Sequence, residues 1–234
     1  MATFPWQVES LRLSFINLVP GTDADNFGWS NLMPTDPEST TQKKALGIVT
    51  EQGGWLSGEL IVNRHPGRVD VIYNFKQPDL FAESGSLLPN AGQFEEVVSY
   101  FSALAENVGG VRSSRIAFGA VLLLPVDDAA QGYKRLNDFL PFVRFEDDMS
   151  DFFLQVNRKR RSDLGIEVNE LSKWGCVEVL GVPSIGVELP AVHALRLELD
   201  INTPDRAPPL EVDISRLVVD LIYRGRSIAE KGAV

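Results

Sequence analysis

Two histidines, one cysteine and one acidic cluster are the places where this chain could hold catalytic or metal-binding groups. His65 stands in His-Pro-Gly-Arg, 65–68, which predicts a solvated hairpin turn. His193 stands in AVHALRLELDI with the parity of Leu195, Leu197, Leu199 and Ile201. That parity predicts the buried side of a strand and a hydrogen-bonded imidazole rather than a base. Neither histidine has metal-ligand spacing such as HExxH, and one cysteine makes no cluster. Cys176, in KWGCVEVL, predicts a small packing residue, because a nucleophile needs an adjacent base and a lowered thiol pKa. Paired carboxylates can hold a divalent cation or do acid–base work, and Glu146, Asp147, Asp148 and Asp151 crowd EDDMSD. Their place between a helix and a strand predicts a solvated loop and cap. A nuclease core would add Glu167, Glu170 and Lys173. It needs Glu-x-Lys on one strand face, and Glu170 and Lys173 are one residue too far apart. The glycines of GGWLSG, 53–58, lack the Lys-Ser/Thr ending of a phosphate loop. The expectation is a protein without catalytic residues, metal or cofactor.

The basic run QVNRKRRSD, 155–163, carries more information. On a strand, Arg158 and Arg160 share the face of Leu154 and Val156, and Lys159 and Arg161 take the other. Four cations therefore make two pairs on opposite faces. Five acids lie within residues 146–163 (Glu146, Asp147, Asp148, Asp151 and Asp163), and this acidic loop is expected to fold beside the strand end and neutralise it. An earlier strand end has a similar set, Arg64, His65 and Arg68. Arg64, Arg68, Arg158, Lys159, Arg160 and Arg161 are the candidate contacts for a partner or a nucleic acid.

The elements that position these groups fall into two similar series. Leu11, Leu13 and Phe15 alternate with Arg12 and Ser14, a half-buried strand. Residues 20–44 are rich in Pro, Asp, Ser and Thr and predict a loop with one short helical turn near Phe27–Leu32. ALGIVTEQ and WLSGELIVNRH predict strands joined by a turn at Gly53-Gly54, and RVDVIYNFK answers across the 65–68 turn. Phe94, Val97, Val98, Phe101, Leu104 and Val108 recur at helical spacing, and Gly109-Gly110 ends that helix. RIAFGAVLLL is apolar on both faces, as a central strand is. Asp127 or Asp128 caps a helix carrying Tyr133, Leu136 and Leu140 on one side. Three strands follow, over DFFLQVNRKRR, GIEVNELSKWGCVEVL (interrupted near Ser172–Lys173) and AVHALRLELDI. The amphipathic helix at 214–232 comes last. Val-Asn-Arg recurs at 62–64 and 156–158, each in the strand region after the irregular or helical insert. The fold class is α+β: an antiparallel sheet from two related strand–(helix)–three-strand–helix halves, 1–110 and 111–234, with helices on one face.

This order resembles the duplicated, saddle-shaped arrangement of TATA-binding-protein-like domains. Through RIAFGAVLLL, the Val-Asn-Arg of 156–158 and LVVDLIYRGRSIAE, the second half resembles a sporadically distributed family of uncharacterised bacterial proteins. The resemblance covers about half the chain. It implies a bacterial protein of a mobile-element or antiviral-defence locus, with no established activity.

Length and composition bound the rest. The chain has 234 residues, 44% hydrophobic and 23% charged, an ordinary globular balance. Its net charge of −10 disfavours non-specific binding to nucleic acid or anionic membrane. The N-terminal residues show no secretory pattern, and IAFGAVLLLPV, 116–126, is about half the ~20 residues of a membrane helix. One cysteine excludes an intrachain disulfide and predicts a reducing cytoplasm. The expected function is a non-enzymatic, cytoplasmic binding or adaptor protein acting through protein–protein contacts or self-association. The alternatives are nucleic-acid binding through the basic strand ends, and a small-ligand site or enzyme with a pocket between the sheet and the last helix.

Overall fold

The alternation in VESLRLSFI builds the strand against which the rest of the fold is laid. In the computed structural model, which describes residues 4–19, 27–76, 88–108, 111–146, 149–179, 191–206 and 208–233, this strand is β1 (Gln7–Leu18). The chain continues through α1 (Trp29–Leu32), β2 (Ser39–Lys43), β3 (Ile48–Trp55), β4 (Gly58–His65), β5 (Arg68–Phe75) and α2 (Phe94–Ala105). It then forms β6 (Ser113–Val126), α3 (Ala129–Phe139), β7 (Phe153–Arg161), β8 (Glu167–Val179), β9 (Val192–Asn202) and α4 (Ile214–Lys231). The nine strands make one antiparallel sheet in the order β2-β3-β4-β5-β1-β6-β9-β8-β7. The α+β class holds.

β1 and β6 form the centre, with Leu11 opposite Ala120 and Leu13 opposite Phe118. Outward from β1 stand β5, β4 and β3. Outward from β6 stand β9, β8 and β7. β2 adds one edge strand that the sequence pattern did not show. Its five residues, Ser-Thr-Thr-Gln-Lys, are all exposed, so it has no buried face to create alternation.

All four helices pack on one side. Leu11, Leu13 and Phe15 are buried there, as their parity predicts, each worth about 1.5–3 kcal/mol of apolar burial. α2 contributes Phe94, Val97, Val98 and Phe101 to the same core. α3 is capped by Asp128, whose carboxylate accepts the backbone N–H of Gln131 at 2.8 Å. It brings Phe139 onto Trp174 and Trp6 and buries Leu136 in the same core. α4 approaches β6 closely at Gly225, where a Cβ would stand 2.8 Å from the Phe118 ring. The indole of Trp6 donates to the Ala229 carbonyl at 3.0 Å, tying β1 to the end of α4.

Three expectations change. Gly53-Gly54 is not a turn but lies within β3; the turn falls at Leu56-Ser57, with Leu56 at φ 51°. Gly53 is small because the Trp29 ring sits where its Cβ would be, at 3.0 Å, so the glycine serves packing. β8 runs unbroken through Ser172 and Lys173, since Ser172 is buried and accepts the Trp174 indole N–H at 3.0 Å. The two Val-Asn-Arg triplets lie on β4 and β7, which are second and third outward from β1 and β6 respectively. The expected helix stop at Gly109-Gly110 and acids Asp147 and Asp148 lie outside the described residues.

Candidate binding face

With the helices on one side, the other side of the sheet carries the functional surface. Among the described residues no helix covers it. A small apolar cluster of Leu88, Leu123 and Ala194 occupies one end. Elsewhere the register lines polar side chains into rows across the strands. One row is Asn63, Asp70, Ser14, Ala117, Asn202 and Asn169. The next is Ile61, Ile72, Arg12, Gly119, Asp200 and Leu171. A third is Glu59, Asn74, Ser10, Val121, Glu198 and Lys173.

Charge on this face differs from that of the chain. Strand parity assigns to it eight cations: Arg12, Lys43, Arg68, Arg115, Lys159, Arg161, Lys173 and Arg196. It carries six carboxylates, those of Glu59, Asp70, Glu167, Glu198 and Asp200 and of Glu9 at the β1 bulge. The excess is two positive charges in a chain of net −10. Most are internally matched. Asp70 receives both Arg68 Nε at 2.8 Å and Nη2 at 2.9 Å, and Ser14 donates its hydroxyl to the same carboxylate. Lys173 meets Glu198 at 3.1 Å, Arg196 pairs with Glu198 and Glu9, and Asn202 donates to Asp200 at 3.0 Å. Four of the cations, Arg12, Lys43, Arg115 and Arg161, have no side-chain hydrogen-bond or ion-pair partner among the described residues, and of these Arg12 and Arg115 stand on the two central strands. Arg12 lies over Gly119 in an open depression of about 390 Å³ lined by Ser10, Ile72, Lys173, Glu198 and Asp200.

The structure separates the basic residues that the sequence singles out. Arg158 and Arg160 face the helices, and Lys159 and Arg161 face away, as the alternation predicts. Arg158 Nη2 donates to the Ala233 carbonyl at 2.6 Å, and Arg160 lies 3.9 Å from Glu170. Lys159 lies 3.7 Å from Glu167, and the Arg161 carbonyl accepts from Arg224 at 3.0 Å. The carboxylates meeting this strand come from β8. In the described part of the acidic loop, Glu146 pairs instead with Arg144 at 3.5 Å. β8 is the hydrogen-bonded neighbour and reaches first. Arg64 faces the helices, 3.6 Å from Glu51 and against Gly28, whereas Arg68 is on the open face. β4 and β7 are separated by five strands, about 29 Å at ordinary strand spacing, so the two basic ends do not meet.

The other candidate groups stay apart as well. Glu170 and Lys173 point to opposite faces of β8: Glu170 takes Arg224 at 2.6 Å, and Lys173 takes Glu198. Cys176 packs against Gly132 of α3, and burial, assisted by the charge of Asp128, pushes its thiol above the ordinary value. His193 is half-buried on the helix side at the start of β9, and among the described residues its imidazole has no hydrogen-bond partner, contrary to expectation. Among the described residues no group of three or more His, Cys, Asp or Glu could hold a metal ion, and no helix is long and apolar enough to cross a membrane. Beside α4 lies an open cleft of about 350 Å³ with Glu170 and Asp220, and both acids are engaged by Arg224. Arg12 and Arg115 were overlooked in the sequence because each is a single cation in an apolar strand. Only strand order shows that they flank the same centre.

Comparison with family models, curated proteins and solved structures yields no match. Fold and face define an α+β protein with a nine-stranded antiparallel sheet, helices behind it and a polar face in front.

Proposed function

We propose that this is a non-enzymatic binding or adaptor protein that holds a partner protein on the open face of its sheet. The observation that carries this reading is the one-sided placement of the helices. It leaves the centre of a nine-stranded sheet free, with Asn, Ser, Asp and Arg set among scattered apolar side chains in rows across the strands. Such rows present donors and acceptors side by side, which suits the mixed hydrogen-bonding groups of a protein surface. A cytoplasmic setting and a bacterial defence or mobile-element locus belong to the same proposal. So does descent of the two halves from one unit, supported by strand order: β5, β4, β3 outward from β1 match β9, β8, β7 outward from β6.

The nucleic-acid reading has less behind it. Four of the eight cations on the face, Arg68, Lys159, Lys173 and Arg196, already sit beside carboxylates. Such pairing leaves few counterions to release on binding phosphates. Three of the six candidate contacts, Arg64, Arg158 and Arg160, face the helices. Among the described residues the face has no row of aromatic side chains on which bases could stack.

Affinity purification from the native host tests the proposal. A stoichiometric protein partner is expected. It should be lost with Val121→Arg, which blocks the centre of the open face, and kept with Tyr223→Arg on the exposed side of α4. Equal recovery by both variants, or no partner at native expression, overturns it.

A further inference from the structure

We infer that Arg12 and Arg115 form a two-point dock for carboxylates, receiving an extended acidic segment of the partner protein. The inference rests on the open face being the partner surface, and names the chemistry that surface selects.

The two guanidiniums stand on the two central strands. Arg12 is opposite Gly119, and Arg115 lies four residues further along β6, opposite Ile16. Four strand residues span about 14 Å. Arg12 is exposed and has no partner, in a neighbourhood where Asp70, Lys173, Arg196 and Glu198 are all paired. The absence of a side chain at Gly119 leaves a shallow floor beneath its guanidinium. Arg115 supplies an independent observation. Its Nε is buried and has no acceptor. An unsatisfied buried N–H is costly, so an acceptor arriving from outside recovers that loss. Arg64 and Arg158 also have an unsatisfied Nε, but each has another nitrogen already engaged, by Glu51 and by the Ala233 carbonyl. Arg115 has none.

A carboxylate fits both points, since each guanidinium offers a planar fork of donors. In an extended peptide, side chains four residues apart share one side and are separated by the same ~14 Å. The peptide N–H and C=O groups would meet Asp200 in the row of Arg12 and Asn202 in the row between the two arginines, which supply acceptors and donors. A nucleic-acid backbone fits less well. It presents acceptors without donors, and Asp70, Glu198 and Asp200 would face its phosphates.

The test uses the full chain and NMR of the arginine Nε–H groups. The probe is a capped peptide of serine and asparagine with two glutamates four positions apart. Its controls are the same peptide with both changed to glutamine, and a short DNA duplex. Saturable shifts of the Arg12 and Arg115 signals with the glutamate peptide are expected, and at least tenfold weaker binding of the glutamine peptide. Arg12→Gln, at an exposed position, should weaken the glutamate peptide at least fivefold. Arg115→Lys, which keeps the charge and removes the Nε–H, should weaken it at least threefold. Equal binding of the two peptides, no effect of R12Q, or duplex binding tighter than peptide binding overturns the inference. Loss of the native partner with V121R but not with the double variant R12Q/R115Q would overturn it while leaving the proposed function standing.

Discussion

Replacing Arg224 by methionine should remove a large share of the stability of this fold. Its guanidinium is the knot between α4 and the β7–β8 edge. Nη1 donates to Glu170 at 2.6 Å, Nε to Asp220 at 3.0 Å, and Nη2 to the Arg161 carbonyl at 3.0 Å. The side chains of Arg224, Glu170 and Asp220 are only 16%, 12% and 18% exposed. Burial works against the charge on Arg224, but the hydrogen bonds to Asp220 and Glu170 outweigh it and raise its pKa, so it stays protonated. Methionine keeps most of the stem packing and strips the charge. Removing one partner of a buried pair costs about 3–5 kcal/mol, because the other charge is left uncompensated. Glu170 would retain Arg160 at 3.9 Å, which favours the low end, about 3 kcal/mol. For a chain of this size that lowers Tm by about 6–12 °C. The assay is urea unfolding of wild type, Arg224→Met, Glu170→Gln and the double variant. The double variant should lose about 1–2 kcal/mol less than the sum of the single losses. A loss below about 1 kcal/mol for R224M, or strict additivity, would refute the assignment of this cluster as a buried, mutually dependent pair.

Three further outcomes are expected. Gly53→Val drives a side chain into the Trp29 ring and should cost about 1–3 kcal/mol in urea unfolding; an unchanged midpoint would mean that Trp29 moves freely. Burial raises the Tyr73 hydroxyl above the ordinary 10.0, so the native state holds that proton more tightly than the unfolded chain does. Its contribution is intact below pH 10 and lost as pH rises through the native value, so wild type should lose stability relative to Tyr73→Phe only in the alkaline range. Parallel urea curves for the two proteins at every pH would contradict this. Cys176, its thiol raised by burial and then by Asp128, should react with iodoacetamide more slowly than a free thiol at neutral pH and accelerate in alkali. Fast neutral labelling, followed by mass spectrometry, would exclude the packed environment.

Legibility in the sequence followed burial. Leu11, Leu13 and Phe15 announce β1 because one face is sealed, and α2 and α4 announce themselves through apolar residues at helical spacing. β2 has no sealed face and left no pattern. Gly53 looked like a turn because glycine there answers to a distant indole, which local reading does not see. The opposed faces of Arg158 with Arg160 and of Lys159 with Arg161 were legible, since alternation is a local property. Their carboxylate partners were not, since Glu167 and Glu170 arrive through strand pairing. The dock at Arg12 and Arg115 was hidden for the same reason. Its two halves are about a hundred residues apart and become neighbours only through β1–β6 pairing.

That pairing also sets the order in which the chain can assemble. β3, β4 and β5 close through short turns, as do β7 and β8, so these hairpins form early at little entropic cost. The seam between Leu11 and Ala120 must wait for a long loop to close. Until it does, β6 presents Ile116, Phe118, Leu122 and Leu124 beside an open backbone edge. A fragment ending before β6, or beginning with it, would keep that edge or its β1 counterpart unpaired for good, and unpaired apolar edges recruit other chains. Separately expressed halves are therefore expected to aggregate, and to become soluble when co-expressed, because each is the other's missing edge.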